Sequence, residues 1–195
     1  RDFVRKGINY HCVGSATPKE NMYKHGRRNM EWPIIYASRI LPRIRGYKFD
    51  IIDADAFPFL HIPILAAYAK ISKTRFVVTW HEVWSRSYWK EYLGSFGKFG
   101  YKAEQLSATS TRNIIVNTKA TKLALCKEFG IGSGRIIVFP AAISRDDLLR
   151  GSEGKVRRSG RFIAVGRLIP EKRMELAINA VLESNTCLDV IGVGP

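Results

Sequence analysis

The sequence predicts an α/β protein in which parallel strands are covered by helices on both faces. Three observations carry this. Short apolar, β-rich runs recur along the chain: "NYHCVG" (9–14), "FDIIDA" (49–54), "RFVVTW" (75–80), "NIIVN" (113–117), "RIIVF" (135–139), "RFIAV" (161–165) and "CLDVIG" (187–192). Helix-length segments separate several of them, around 31–45, 58–71, 98–110, 118–129 and 171–184. The runs hardly alternate between apolar and polar residues, as expected of strands buried on both faces. Strands alternating with helices require right-handed crossovers, and those join parallel neighbours.

Taken in order, the elements give a first domain over 1–150. The segment "RGSEGKVRRSGR" (150–161) then interrupts the pattern with glycine, serine and clustered charge, and reads as an exposed connection. Residues 151–160 are therefore expected to link the first domain to a second, which occupies 161–195. Those last residues suffice for β-α-β and are too few to close a core alone. The opening at Arg1 carries neither a charged-then-apolar leader nor a cleavage signal.

Charge restricts the partners. The formal net charge is +15, and it is uneven: residues 151–195 hold seven basic and five acidic side chains, residues 1–150 the other 25 and 12. The densest basic stretch is 19–48, where Lys19, Lys24, Arg27, Arg28, Arg39, Arg43, Arg45 and Lys48 face only Glu20 and Glu31. A field of this sign draws phosphates, nucleotides, nucleic acids and anionic membranes. Cys12, Cys126 and Cys187 are odd in number and far apart, which excludes zinc-ligand spacing and a disulfide framework, and predicts buried thiols in a reducing compartment. The longest apolar stretch, "FPFLHIPILAAYAKI" from Phe57, contains His61, Pro58 and Pro63 and is shorter than the ~20 residues of a membrane span.

Open parallel sheets bind ligands beyond the carboxyl ends of their strands. His81 and Glu82 stand at such an exit, in "WHEVW" after "RFVVT". His81 is the candidate for chemistry, while Glu82 is expected to pair with Arg86 or another basic group. After "RFIAV" comes "GRLIPEK": Pro170 suits the first turn of a helix, Glu171 suits its positive end, and Arg167 and Lys172 can reach the same small volume. An arginine fork and a lysine point charge beside a helix N-terminus suit a phosphate or diphosphate. A solvated turn with incidental cations is the plainer alternative.

The stretches "FDIIDADA", "VVTWHEVW", "IIVNTKATKLALCKEFGIGSGRIIVFPAAIS", "FIAVGRLIPEKRMELAINAV" and "LDVIGVGP", in this order and spacing, resemble the family 4 (group 1) retaining glycosyltransferases of the GT-B fold. The resemblance covers nearly the whole chain, and its most specific parts are the Gly166-Arg167 to Lys172 element and the Gly192–Pro195 turn.

It implies two Rossmann-like domains facing each other across a cleft. The first, acceptor-side domain is nearly complete, and the second, which binds a nucleotide sugar, is only begun. It implies that Gly166, Arg167 and Lys172 grip the donor diphosphate without a metal, and that His81 lies near the donor sugar and acceptor. It implies transfer of a hexose from a nucleoside diphosphate sugar to a hydroxyl acceptor with retention, no cofactor, and a cytoplasmic protein. In many such enzymes the first domain rests on an anionic membrane and the acceptor is lipid-linked, which fits the basic stretch 19–48.

The resemblance also implies a missing first strand, ahead of a helix ending in "FVRKG". It places a two-glutamate element, which holds the donor's sugar and ribose, beyond Pro195, so that these 195 residues alone would be inactive. Where the family has Pro-Asn-Gly-Val/Ile-Asp, this chain has "PAAIS" (140–144), without the residues that favour positive φ. Two rival readings stand beside this one: a basic nucleic-acid-binding α/β module, and a noncatalytic relative of the glycosyltransferases. The first lacks zinc spacing, an RNP-like strand and a recognition-helix signature; the second would lack the two-glutamate element.

Overall fold

The computed structural model describes residues 2–13, 23–24, 27–28, 31–146, 149, 160–184 and 186–194. Lys19, Glu20 and all of 151–159 lie outside the described residues. The chain separates into two compact units, Arg1–Ala16 with Met30–Ala142, and Thr17–Asn29 with Ile143–Pro195.

The first unit opens on a hairpin of β1 (Phe3–Arg5) and β2 (Ile8–Tyr10). Here the sequence expectation of a helix ending in "FVRKG" fails. Lys6 and Gly7 take φ of 51° and 77°, the paired positive values of a two-residue hairpin turn, and Gly7 makes the second of them inexpensive. Asp2 ties this hairpin to the first helix. It accepts from His11 and pairs with Arg43, and the His11 bond, foremost among these contacts, holds its carboxyl down at about 2.

The main body is α1 (Glu31–Ile44), β5 (Ile51–Asp55), α2 (His61–Ile71), β6 (Arg75–Trp80), α3 (Arg86–Leu93), α4 (Gly97–Ser110), β7 (Ile114–Val116), α5 (Lys119–Phe129) and β8 (Ile136–Val138). Two-residue strands β3 (Tyr23–Lys24) and β4 (Arg27–Arg28) pair with each other in the other unit. Local chemistry sets several boundaries. Ser85 caps α3 by accepting from the Tyr88 N–H at 3.3 Å, and the helix stops at Gly94, φ 59°. Thr118 caps α5 by accepting from the Thr121 N–H at 3.0 Å, and left-handed Gly130 closes it. The sequence reading missed α3, although Trp89, Tyr92 and Leu93 stand at helical spacing, because its eight residues make only about two turns.

The four strands form one parallel sheet in the order β5-β6-β7-β8. Right-handed crossovers that always step the same way place α2, α4 and α5 on one face. That face buries the even-numbered residues Ala54, Phe76, Val78, Trp80, Ile114, Val116 and Ile136 against Ile62, Leu65, Tyr101, Ala108 and Leu125. The odd-numbered residues take the other face, and at the carboxyl ends of the strands these are Asp55, Thr79, His81 and Asn117.

The second unit pairs β9 (Arg161–Val165) and β10 (Cys187–Ile191) in parallel around α6 (Met174–Ser184). Beyond the strands the two loops stay paired, Gly166 N–H to Ile191 O at 3.0 Å and Leu168 N–H to Val193 O at 2.9 Å. This explains two glycines. A Cβ at Gly192 would lie 1.9 Å from the Gly166 carbonyl oxygen, and one at Gly194 2.3 Å from that of Leu168. The cysteines depart from the expected burial: Cys12 and Cys187 are exposed and only Cys126 is half-buried.

Candidate active site

The site grows from the register of the parallel strands. Asp55 pairs with Thr79, and Trp80 with Val116, so the next residues on β6 and β7, His81 and Asn117, stand side by side. All three polar side chains emerge on the same face, one from each of three adjacent strand ends. His81 Nε2–H donates to Asp55 Oδ1 at 3.0 Å, and His81 Nδ1 accepts from Asn117 Nδ2 at 2.7 Å. An ionised carboxylate only accepts, so this pattern is that of the Nε2–H tautomer. One step back, Thr79 Oγ1 donates to Asp53 Oδ1 at 2.9 Å, so β5 and β6 are bridged twice by polar side chains on this face.

Each strand exit is held from behind. The His81 carbonyl accepts from Thr121 Oγ1 at 3.3 Å, in the first turn of α5. The Asp55 carbonyl bonds His61 Nε2 at 2.9 Å, at the start of α2. Between them the loop 56–60 turns so tightly that Phe59 takes φ 71°. That conformation costs roughly 1–2 kcal/mol in a non-glycine residue, and it persists because the Phe59 ring is buried among Trp80, Trp84 and Trp89.

The loop after His81 is fixed by a residue that nothing in the sequence singled out. Glu104 of α4 is fully buried; its Oε1 accepts from the Trp84 backbone N–H at 2.8 Å and its Oε2 from the Trp89 indole N–H at 2.6 Å. Glu82, expected beside Arg86, instead accepts from the Trp84 indole at 2.9 Å, while Arg86 lies over the Tyr101 ring. The aromatic setting takes both groups: an indole N–H reaches Glu82 and a ring face holds Arg86.

Burial pushes the Glu104 carboxyl up to about 8, against the two N–H donors that hold it down. Burial likewise pushes His61 down to about 4. The signs differ. Glu104 favours its protonated form when folded, so its contribution is complete below its ordinary 4.5 and is lost as pH rises through 8. His61 favours its neutral form, so its contribution is complete above its ordinary 6.5 and is lost as pH falls through 4. Between 4.5 and 6.5 the two slopes cancel. From pH 6.5 to 8 only Glu104 acts, and stability should fall by about 2 kcal/mol. Urea unfolding of the chain and of Glu104→Gln across pH 5–9 checks this: the variant should start lower yet lose the decline above 6.5. A decline that survives in the variant would assign it to another group.

In the second unit, Gly166 and Arg167 follow β9 directly, and Arg167 and Lys172 are both exposed. One expectation is corrected here. Pro170–Lys172 is a separate 3-10 turn, and Arg173, at φ 48°, sets it apart from α6, which begins at Met174. Lys172 therefore precedes the helix instead of occupying its first turn, because Lys172 N–H returns to Ile169 O and Arg173 N–H to Pro170 O. The Glu171 side chain and Pro195 lie outside the described residues. A Cβ at Gly166 would meet only Met174 Cε, at 3.0 Å, the end of a flexible side chain that would have to give by a few tenths of an ångström. In "PAAIS" no residue takes positive φ, as the missing Asn and Gly foretell.

Of the residues that matter at the sheet edge, sequence reasoning found His81 and missed Asp55 and Asn117. Their signal was available: each is the polar residue that ends or directly follows an apolar strand. No group of three His, Cys, Asp or Glu side chains able to hold a metal occurs among the described residues, and no described helix is long and apolar enough to cross a membrane.

No curated protein matches the chain. The Glycosyltransferase Family 4 profile does, over residues 1–147 of the 195. That span contains the whole four-stranded sheet and the Asp55–His81–Asn117 bridge at its carboxyl edge, and a match over about three quarters of the chain places this protein in Glycosyltransferase Family 4.

Proposed function

We propose that the protein transfers a hexose from a nucleoside diphosphate sugar to a hydroxyl acceptor with retention of anomeric configuration. The observation that carries this reading is the polar bridge of Asp55, His81 and Asn117 at the carboxyl edge of a family 4 sheet, where open parallel sheets receive their ligands. In this reading 1–150 form the acceptor-side domain, 151–160 the connection, and 161–195 belong to the nucleotide-sugar-binding domain.

The chemistry needs charge at one place. The acceptor oxygen bonds to the anomeric carbon as the bond from that carbon to the diphosphate breaks. The electron pair leaves with the diphosphate, which also takes the hydroxyl proton. Negative charge grows on the leaving group, so fixed cations there stabilise the transition state more than the ground state. Arg167 and Lys172, exposed and unpaired among the described residues, supply those cations, and Gly166 lets the backbone approach. No cofactor takes part. Transfer from a donor of known anomeric configuration, with the product's anomer read by NMR, tests the proposal in the intact protein; an inverted product would remove the retaining mechanism.

The acceptor is proposed to be lipid-linked, at an anionic membrane surface. Along α1, Ile34, Ser38, Leu41 and, just past its end, Arg45 are exposed at helical spacing, with Arg39 and Lys48 nearby. Apolar side chains with snorkelling cations suit a membrane interface. Cosedimentation with acidic vesicles should then fall steeply between 0.1 and 1 M salt, where screening shortens from ~10 Å to ~3 Å. Neutral vesicles should bind little. Equal binding to both would remove the electrostatic part of the proposal, and tighter salt-sensitive binding to single-stranded RNA would favour the nucleic-acid reading.

A further inference from the structure

Sequence reasoning gives the chemistry at the sheet edge to His81, yet both nitrogens of its ring are engaged, Nε2 by Asp55 and Nδ1 by Asn117. A ring held in this way has neither a free N–H nor a free lone pair to offer a substrate. Asp55 is different. Its Oδ1 accepts the His81 N–H, while no described residue bonds its Oδ2, and its side chain is 70% exposed at the strand end. Asn117 is half-buried beside it.

We infer that Asp55 is the group that meets the acceptor: its outer oxygen Oδ2 accepts a hydrogen bond from the attacking hydroxyl of an uncharged polyhydroxylated group, and His81 and Asn117 are positioning residues that hold the carboxylate for it. This rests on the glycosyl-transfer reading for the word acceptor alone. The structure makes the arrangement specific in three ways. His81 fixes the rotation of the carboxylate by occupying one oxygen, which aims the other away from the bridge. Asp55 in turn keeps the His81 ring proton on Nε2, because a carboxylate only accepts, and the Asn117 amide N–H on Nδ1 completes that arrangement and holds the ring. The class of acceptor follows from charge: Asp53, two residues earlier on the same face, adds a second carboxylate, so a phosphate or carboxylate next to the reacting hydroxyl would meet like charge.

The test uses the 15N-labelled chain with methyl α-D-glucopyranoside as probe, followed by NMR at the Asp55 amide and the His81 ring. The glycoside should shift both signals. Asp55→Ala should weaken its binding at least tenfold, while Lys127→Ala, exposed in the last turn of α5, leaves it unchanged. Without substrate, the His81 ring nitrogens should report the Nε2–H tautomer, and Asp55→Ala should weaken that preference while amide signals away from the sheet edge stay in place; a merely structural Asp55 would leave the glycoside's affinity unmoved. Glucose 6-phosphate should shift the same signals more weakly than the neutral glycoside. The inference is overturned if the glycoside shifts neither signal in the folded chain, if Asp55→Ala binds it as well as the unaltered chain does, or if the phosphorylated sugar binds there more tightly. Failure of the wider reading looks different: Asp55-dependent binding without transfer by the intact protein removes glycosyl transfer and leaves Asp55 a hydroxyl-binding residue.

Discussion

Replacing Arg167 or Lys172 with alanine should lower turnover of the intact protein by about 10²–10³-fold, the loss that follows removal of one preorganised group facing developing charge. Lys172→Arg should restore only part of it, since a planar fork does not occupy the place of a compact ammonium on the short turn Pro170–Lys172. In the proposed diphosphate grip the two losses should not add, because both groups would act on one leaving group. Melting should hardly change: both side chains are exposed, and no described residue depends on either for a hydrogen bond. Turnover and melting measured side by side separate this from incidental surface charge, for which turnover stays near normal with at most a small change in melting. The corrected position of Lys172, ahead of α6, strengthens the contrast, since its side chain supports no helix start.

The largest effect on stability is expected from Trp89→Ala, about 3–5 kcal/mol. Trp89 is 1% exposed and fills the join between α3 and α4, where a Cβ at Gly97 would lie 2.4 Å from its backbone oxygen and one at Gly100 2.2 Å from its ring. Its ring packs on Phe59 and Trp84, and its indole N–H is one of the two donors to the buried Glu104 carboxyl. Truncation therefore opens a cavity and leaves a buried polar atom without its partner, two penalties that act together. Gly100→Ala should destabilise as well, by overpacking, because the ring it would meet has no room to move. Denaturant unfolding checks both, and a loss below about 1 kcal/mol for Trp89→Ala would mean that the join repacks. Since Trp84 in the same cluster begins three residues after His81, loss of this packing should also loosen the strand exit.

How much of this was legible in the sequence follows from how local each cause is. The strands β5, β6, β7 and β8 were visible because unalternated apolar runs are a local signal, and the ends of α5 because Thr118 and Gly130 act within a few residues. The N-terminal hairpin was misread because the turn chemistry of Lys6-Gly7 was outweighed by an expectation carried from the family. Glu104 could not be found: an isolated glutamate on a helix is ordinarily solvated, and only the fold brings the Trp84 and Trp89 donors to it. Asp55 and Asn117 fall between these cases. Each ended a recognisable strand, but their partnership with His81 depends on strand order and register, which set residues 26 and 36 positions apart side by side.

The most direct measurement is release of nucleoside diphosphate by the intact protein from a panel of nucleotide hexoses, with and without hydroxyl acceptors presented on acidic vesicles. Glycosyl transfer predicts release that depends on the acceptor and falls by about 10²–10³-fold in Arg167→Ala, with the sugar recovered on the acceptor. Release from no donor under any acceptor, by protein whose fold is intact, would contradict it.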